Sequence, residues 1–495
     1  MEAWLDHGAH DAAVATLVLS VVVPVASGQS SGMAVDGVEV IEIAQSGQSL
    51  ASAISEGIAL ATGSYIAILG ASDRLEPNVA AALSAALETG ADAVYTDERV
   101  HGSVFSKPSF SPERLRSQFY TGNLTAYRRE LIEQVGGVRE GVEGAELYDL
   151  ALRALTAARR VEHVAEVLVT TGDALLASAW GTTDAAALAS TRSVLEEHLA
   201  ATGGGEVEAV SLAGANVTHR AVHGNPLVSI VIPTRGTSAV VNGVERNMVI
   251  EAVRGIVAKS TYTNFELVIV IDDVASDAVR DELVSLAGDR LRFVEWDQPF
   301  TFSGKMNLGV LHARGEFVML LNDDVELITP RWLERMLALA QLPQSGLVGS
   351  MLYFDDDTIQ HAGHAYYRLD VTHIGLHSQR GAAGPHDGFL VEREVAGVTA
   401  ACAIMRRSVF LEAGGFSTLL PGNFNDVDLC MKVATLGYQS YWTPAAELYH
   451  FESKSRDPRV SRSEIDTAWG RWERLIWESP LWPTDPHEVF ASDGR

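Results

Sequence analysis

The chain repeats itself. "LSVVVPVAS" (19–27) returns as "VSIVIPTRG" (228–236), 209 residues on. "SYIAILGASDRLEP" (64–77) returns as "EFVMLLNDDVELIT" (316–329), with Asp73 and Asp324 251 residues apart. "YRRELIEQVGGV" (127–138) returns as "MRRSVFLEAGGF" (405–416), and "LYDLALR" (147–153) as "DVDLCMK" (426–432), offset by 278 and 279. Four matches in one order mean two copies of one domain. The 495 residues are also too many for a single ordinary core.

Each copy alternates short Val- and Ile-rich runs, such as "VSIVIP", "FELVIVI" and "EFVMLL", with helical stretches. Two of those helices, in "PNVAAALSAALE" (77–88) and "PRWLERMLALA" (330–340), open on Pro near the first turn. Continuously apolar strands between helices predict an α/β fold, with mostly parallel central sheets covered by helices on both faces. The predicted domains are 1–172, an Ala- and then Gly-rich linker with one helix over 173–225, 226–460, and a Trp-rich tail over 461–495. Ligands of such sheets bind beyond the carboxyl ends of the strands. The second copy is the longer by 42 residues before the Asp pair and by 27 after it, so the copies differ where a site would be built.

The copies also differ in charge. Against Asn322-Asp323-Asp324 the first copy has Ala71-Ser72-Asp73, against Asp426 it has Leu147, and against His450 it has Thr170. Asp272 and Asp273, at the end of "FELVIVID", face Ala44 and Gln45. Two adjacent carboxylates ending a buried strand repel each other, and each costs several kcal/mol to bury without compensation. A divalent cation shared by Asp324 and His450 and completed by phosphate oxygens would compensate. Oxygen ligands with one imidazole suit Mg²⁺ or Mn²⁺ better than Zn²⁺.

Composition excludes some classes. A formal charge of −27 makes a poor nucleic-acid binder. Two cysteines, Cys402 and Cys430, make no disulfide framework, and a reducing location is expected. "VATLVLSVVVPVASG" (14–28) lacks a basic flank, is short and contains Pro24, so it reads as a strand rather than a signal peptide. A cytoplasmic location is expected, with peripheral contact at the inner face of the plasma membrane left open.

The second-copy motifs "VSIVIPTRG", "ELVIVIDDVASD", "SGKMNLGVLHARGEFVMLLNDDVEL", "VTAACAIMRRSVFLEAGGF", "FNDVDLCMK" and "WTPAAELYHFES" resemble, in order, those of family 2 glycosyltransferases with the glycosyltransferase A fold. The resemblance covers about 226–456, and the first copy looks like a degenerate, non-catalytic relative. The tandem arrangement is similar to that of bacterial transferases building rhamnose-containing surface polysaccharides. It implies two Rossmann-like domains and inverting, metal-dependent transfer from a nucleoside-diphosphate sugar to a glycan or lipid-linked glycan. A dTDP-rhamnose donor is the expectation, with UDP-sugars open. It implies that Asp273 and Thr234 lie at the nucleotide, with Pro233, Arg235, Asp272, Lys305 and Asn322 in the same motif segments. Asp323 would meet ribose or sugar, Asp324 and His450 the metal, and Asp426 would be the base. Asn425 stands where the family usually has Glu, and Thr399, Asn425 and Asp428 are candidate acceptor contacts. Asp428 has a counterpart, Asp149, in the copy without chemistry, which also fits a structural role.

Other features are weighed on their residues. The stretch 359–388 holds His361, His364, His373, His377 and His386 without Cys or clustered acid. A mobile lid is expected there, ahead of a plain loop or a zinc site. In "WGRWERLIWESPLW" (469–482), Trp469, Trp472 and Ile476 share a helical face, read as packing on a domain rather than membrane anchoring. Cys430 is expected to be a buried thiol. Two alternatives stay open: a non-catalytic nucleotide- or carbohydrate-binding scaffold, and a sugar nucleotidyltransferase, which would release pyrophosphate.

Overall fold

A computed structural model describes residues 19–100, 102–172, 185–210, 215–241, 243–367, 370–451 and 460–477. The beginning of the 14–28 run, parts of the linker and the tail beyond 477, Trp482 included, lie outside the described residues. The chain divides into two compact units, residues 1–104 with 121–176 and residues 105–120 with 177–495. The described parts of the 173–225 stretch are a helix, Ala185–Ala201, and the paired strands Gly205–Ala209 and Val217–Arg220; they group with the second unit.

The first unit holds β1 (Leu19–Ala26), β2 (Val38–Gln45), α1 (Leu50–Leu60), β3 (Tyr65–Ile68), β4 (Arg74–Leu75), α2 (Val79–Glu88), β5 (Ala93–Val100), β6 (Thr125–Arg128), α3 (Glu146–Ala157) and β7 (Val161–Thr171). Its sheet runs β2-β1-β3-β6-β5-β7-β4. β1 is parallel to β2 and β3, β6 runs antiparallel to β3 and β5, β7 is parallel to β5, and β4 closes antiparallel on β7.

The second unit holds β8 (Val228–Thr234), α4 (Met248–Lys259), β9 (Phe265–Asp272), α5 (Asp277–Ala287), β10 (Leu291–Trp296), α6 (Phe302–His312), β11 (Phe317–Leu321), β12 (Val325–Leu327), α7 (Trp332–Ala340) and β13 (Ser345–Tyr353). It continues through β14 (Ile359–His361), β15 (His364–Tyr367), β16 (Asp370–His373), β17 (Arg393–Val395), β18 (Cys402–Arg406), α8 (Asn425–Thr435), β19 (Gln439–His450) and α9 (Arg462–Trp477). The sheet order is β10-β9-β8-β11-β18-β13-β19-β12. From β9 onward this repeats the first unit's order and strand senses, with β10 added outside β9. The sheet is mixed: its β10-to-β11 half is parallel, and β18 enters antiparallel.

Alternation along the strands sends side chains to two apolar layers. Ile230, Ile232, Leu267 and Ile269 pack with Val249 and Val253 of α4 and Trp332 and Met336 of α7. Val231, Val268 and Val270 pack with Met306 and Val310 of α6 and Leu429 and Val433 of α8. Helices therefore cover both faces, and strands buried on both sides can be apolar throughout. The thiol of Cys430 is buried against Val398 and pushed up to about 12, chiefly by burial. Among the described residues no helix is long and apolar enough to cross a membrane.

Trp469 packs edge-on against Phe424, and Ile476 and Trp472 join a cluster with Tyr366, Val427 and Met431. Asp428 is the polar anchor of this docking. Its carboxylate pairs with Lys432 at 2.7 Å and Arg471 at 2.9 Å and accepts the Trp472 indole N–H at 2.9 Å. The acceptor contact expected of it is therefore corrected: Asp428 is fully buried and structural, as is Asp149, which pairs with Arg139 and Arg153. Asp428→Ala is expected to cost about 3 kcal/mol, because cationic and N–H groups lose a buried partner. Arg471→Ala, at a half-exposed position, is expected to cost about 1 kcal/mol or less. Urea unfolding of the two variants checks the contrast.

Candidate active site

The carboxyl ends of β8 and β11, the start of α8 and the end of β19 meet around a cavity of about 510 Å³. Pro233, Arg235, Asn322, Asp323, Asp324, Thr399, Asn425, Asp426 and His450 all line it.

β11 ends where its apolar run does. Asp323 accepts a hydrogen bond from the Thr234 hydroxyl at 2.5 Å, which ties the ends of β8 and β11 together. Burial and then the charge of Asp324 push the Asp323 carboxyl up to about 7, against a partial counter-effect from Thr234. Asp324 precedes Val325, which lies opposite His450 in the β12–β19 ladder. Its Oδ1 is 3.2 Å from His450 Nε2. His450 Nδ1 is 2.6 Å from Gln360 Oε1, so this nitrogen carries the proton and donates it. The lone pair of Nε2 then faces Asp324 and the Asn322 side-chain amide, 2.9 Å away. An orienting bond on one ring nitrogen with the other presented beside a carboxylate is a metal-ready imidazole. The negative charge crowded at Asp323 and Asp324 fits a cation as well.

In the first unit the equivalent carboxylate is satisfied differently. Asp73 accepts backbone N–H groups of Gly70 at 2.8 Å and Gly172 at 3.0 Å, and Thr170 takes the ladder position of His450. Leu147, in the first turn of α3, is buried where Asp426 stands in α8.

Asp426 lies in the first turn of α8, half-buried, and accepts the Val427 N–H at 2.9 Å. Phe424, just before the helix, has φ 54°, a left-handed conformation uncommon for an aromatic residue. The preceding loop is held by Glu464 of α9, which accepts N–H bonds from Gly422 at 3.1 Å and Asn423 at 2.8 Å.

Four expected nucleotide contacts, Thr234, Asp272, Asp273 and Lys305, do not line this cavity, Thr234 lying beneath it bonded to Asp323. Lys305 is fully buried; its ammonium forms a close ion pair with Asp272 and donates to the carbonyls of Thr234 at 2.5 Å and Val270 at 3.3 Å. It therefore binds the ends of β8 and β9 together, and the nucleotide contact expected of Lys305 is corrected on that ground. Asp272 is used up in the same pair. Asp273 is exposed beyond β9, its N–H donated to the Trp296 carbonyl. Arg235 does reach the cavity, with its guanidinium 4.6 Å from the Phe300 ring centre.

The stretch 359–388 is not a separate lid. Ile359, Ala362, Ala365 and Ile374 are buried in one of the two apolar layers, and β15 pairs with β16 as a hairpin in the wall. Gln360, His364 and His373 line the cavity, as does Glu464. Gln360 and Glu464 were not picked out from sequence, and His364 and His373 were weighed only as a zinc site ranked behind a lid and a plain loop. The small apolar residues between the histidines of "IQHAGHAYY" were the available sign of burial.

Part of the second unit matches a known family. Residues 229–414 match the Glycosyl transferase family 2 model. The match stops before Asp426 and His450. The second unit thus carries a glycosyltransferase-type domain. The chain is 34% identical over 470 residues to the uncharacterized protein y4gI of Sinorhizobium fredii, covering 88% of this chain and 49% of that protein. It is 33% identical over 433 residues to the O-antigen biosynthesis protein RfbC of Myxococcus xanthus, covering 82% and 32%. It is 26% identical over 156 residues to an N-acetylglucosaminyl-diphospho-decaprenol L-rhamnosyltransferase of Mycobacterium tuberculosis, covering 29% and 50%. The chain spans half or less of the length of these relatives.

The Asp323 carboxyl gives a pH test. Its value rises from 3.8 to about 7 on folding, so it favours the folded state at low pH, and that contribution is lost as pH rises through about 7. Without divalent cation, stability is expected to fall between about pH 4 and pH 7 on this group's account. Asp324→Asn removes the neighbouring charge and is expected to flatten that slope. Thermal melts across pH check both.

Proposed function

We propose that the second unit transfers a sugar, with inversion, from a nucleoside-diphosphate sugar to a hydroxyl of a glycan or lipid-linked glycan in surface polysaccharide synthesis. The observation that carries this reading is the pairing of Asp324 with His450 in the same cavity as Asp426. Asp324 and His450 would hold Mg²⁺ or Mn²⁺. When bound, such an ion neutralises charge on a departing diphosphate. Asp426 takes the proton from the acceptor hydroxyl, and inversion needs no covalent enzyme intermediate. Asp323, Thr234 and Arg235 orient the donor, and Asn425 and Thr399 lie on the acceptor side. L-rhamnose as the transferred sugar, from a dTDP-linked donor, is supported by the name of the mycobacterial relative and the O-antigen role named for the Myxococcus one. A cytoplasmic site of action with peripheral membrane contact fits a lipid-linked acceptor. The first unit is a degenerate copy that has lost the chemistry.

Asp426→Asn is expected to lower transfer by about 10²–10⁴-fold while leaving nucleoside-diphosphate binding intact. Asp324→Ala is expected to abolish the cation-dependent rise in melting temperature given by dTDP, UDP or GDP. Thermal-shift titrations with and without Mn²⁺, and assay of released nucleoside diphosphate, check both. Release of pyrophosphate, or no nucleotide response at all, overturns the reading.

A further inference from the structure

Three histidines of the cavity wall converge. One ligand nitrogen from each of His361, His364 and His373 lies within 4.8 Å of the others, on strands β14, β15 and β16. Among the described residues this is the one group of three or more His, Cys, Asp or Glu side chains with donor atoms so close together. His361 Nδ1 is 3.1 Å from His373 Nδ1, which also lies 3.2 Å from the Gln360 carbonyl; His361 Nε2 accepts the Thr399 N–H at 3.3 Å, and His364 Nδ1 is 3.1 Å from the Tyr366 hydroxyl. His361 and His364 are buried, whereas His364 and His373 also line the cavity. We propose that His361, His364 and His373 form a second divalent-metal site, distinct from Asp324 and His450, that takes a borderline-soft cation such as Zn²⁺.

Chemistry selects the class of ion. Three neutral imidazoles without a carboxylate suit Zn²⁺ or Co²⁺ and poorly suit Mg²⁺ or Mn²⁺. His361 and His364 are both buried, which disfavours their charged forms. Three protein ligands leave a coordination position, and the contact of His364 and His373 with the cavity gives that position to water or a hydroxyl from the cavity. Gln360 joins the two sites: its side chain orients His450, and its backbone carbonyl meets His373. The proposal stands whichever reaction the cavity supports, because it rests on the three rings alone.

The test is a Co²⁺ titration of the full chain after chelator treatment, followed by the visible ligand-field absorption of Co²⁺ and run on wild type, Asp324→Ala, His364→Ala and His373→Ala. Circular dichroism confirms that each variant is folded. The half-buried His373 is the second variant should His364→Ala fail to fold. The expected result is a band reaching saturation at one equivalent in Asp324→Ala, displaced by Zn²⁺ and not by Mg²⁺. The apparent affinity is expected to fall by about tenfold or more in the folded histidine variant. Absence of the band in Asp324→Ala, or its survival unchanged when a histidine is removed, overturns the proposal.

Discussion

The candidate site depends on one electrostatic problem, two adjacent carboxylates at the end of a buried strand. β11 is apolar along its whole length, and its chain then emits Asp323 and Asp324 into a cavity instead of bulk water. A hydroxyl and a proton share the load: Thr234 donates to Asp323, and the Asp323 carboxyl is itself pushed up to about 7. A cation entering between Asp324 and His450 would relieve what these groups only moderate. The repulsion is therefore kept rather than removed, which is how a binding site differs from a stable core.

The two units show what removal looks like. They share strand order and strand sense from β2 to β4 and from β9 to β12. In the first unit the single remaining carboxylate, Asp73, is closed off by two backbone N–H groups. Leu147 fills the position that Asp426 holds in the second unit. Asp149 and Asp428 mark the opposite case. Each neutralises basic partners in its own unit, and each is kept because packing, not chemistry, needs it.

Much of this was legible in the sequence because its causes are local. Apolar runs that end in charge locate strand ends, and the loss of Asp426, Asp323 and His450 counterparts from a copy with the same apolar pattern separates site from scaffold. Lys305 was ambiguous for a physical reason. A lysine in a motif segment fits a nucleotide contact or an ion pair alike, and which of the two its ammonium makes depends on how two strand ends close. The parallel character of the sheet was half legible. Crossover helices announce β8, β9, β10 and β11, while β18 arrives antiparallel after a long excursion that no local pattern encodes.

That excursion also explains why a zinc site ranked last for the histidines. Without Cys or clustered acid nearby, and with Gly between them, they read first as a lid. The alternation that matters is of small apolar residues with histidine: Ile359, Ala362, Ala365 and Ile374 turn into the core, and the rings between them turn toward one another. Apolar burial sets the ring positions first. The same desolvation that pushes the Asp323 carboxyl up pushes the His361 and His364 imidazoles down. One cavity is thus lined by the Asp323 and Asp324 carboxylates and by the His364 and His373 rings, with Gln360 touching both His450 and His373.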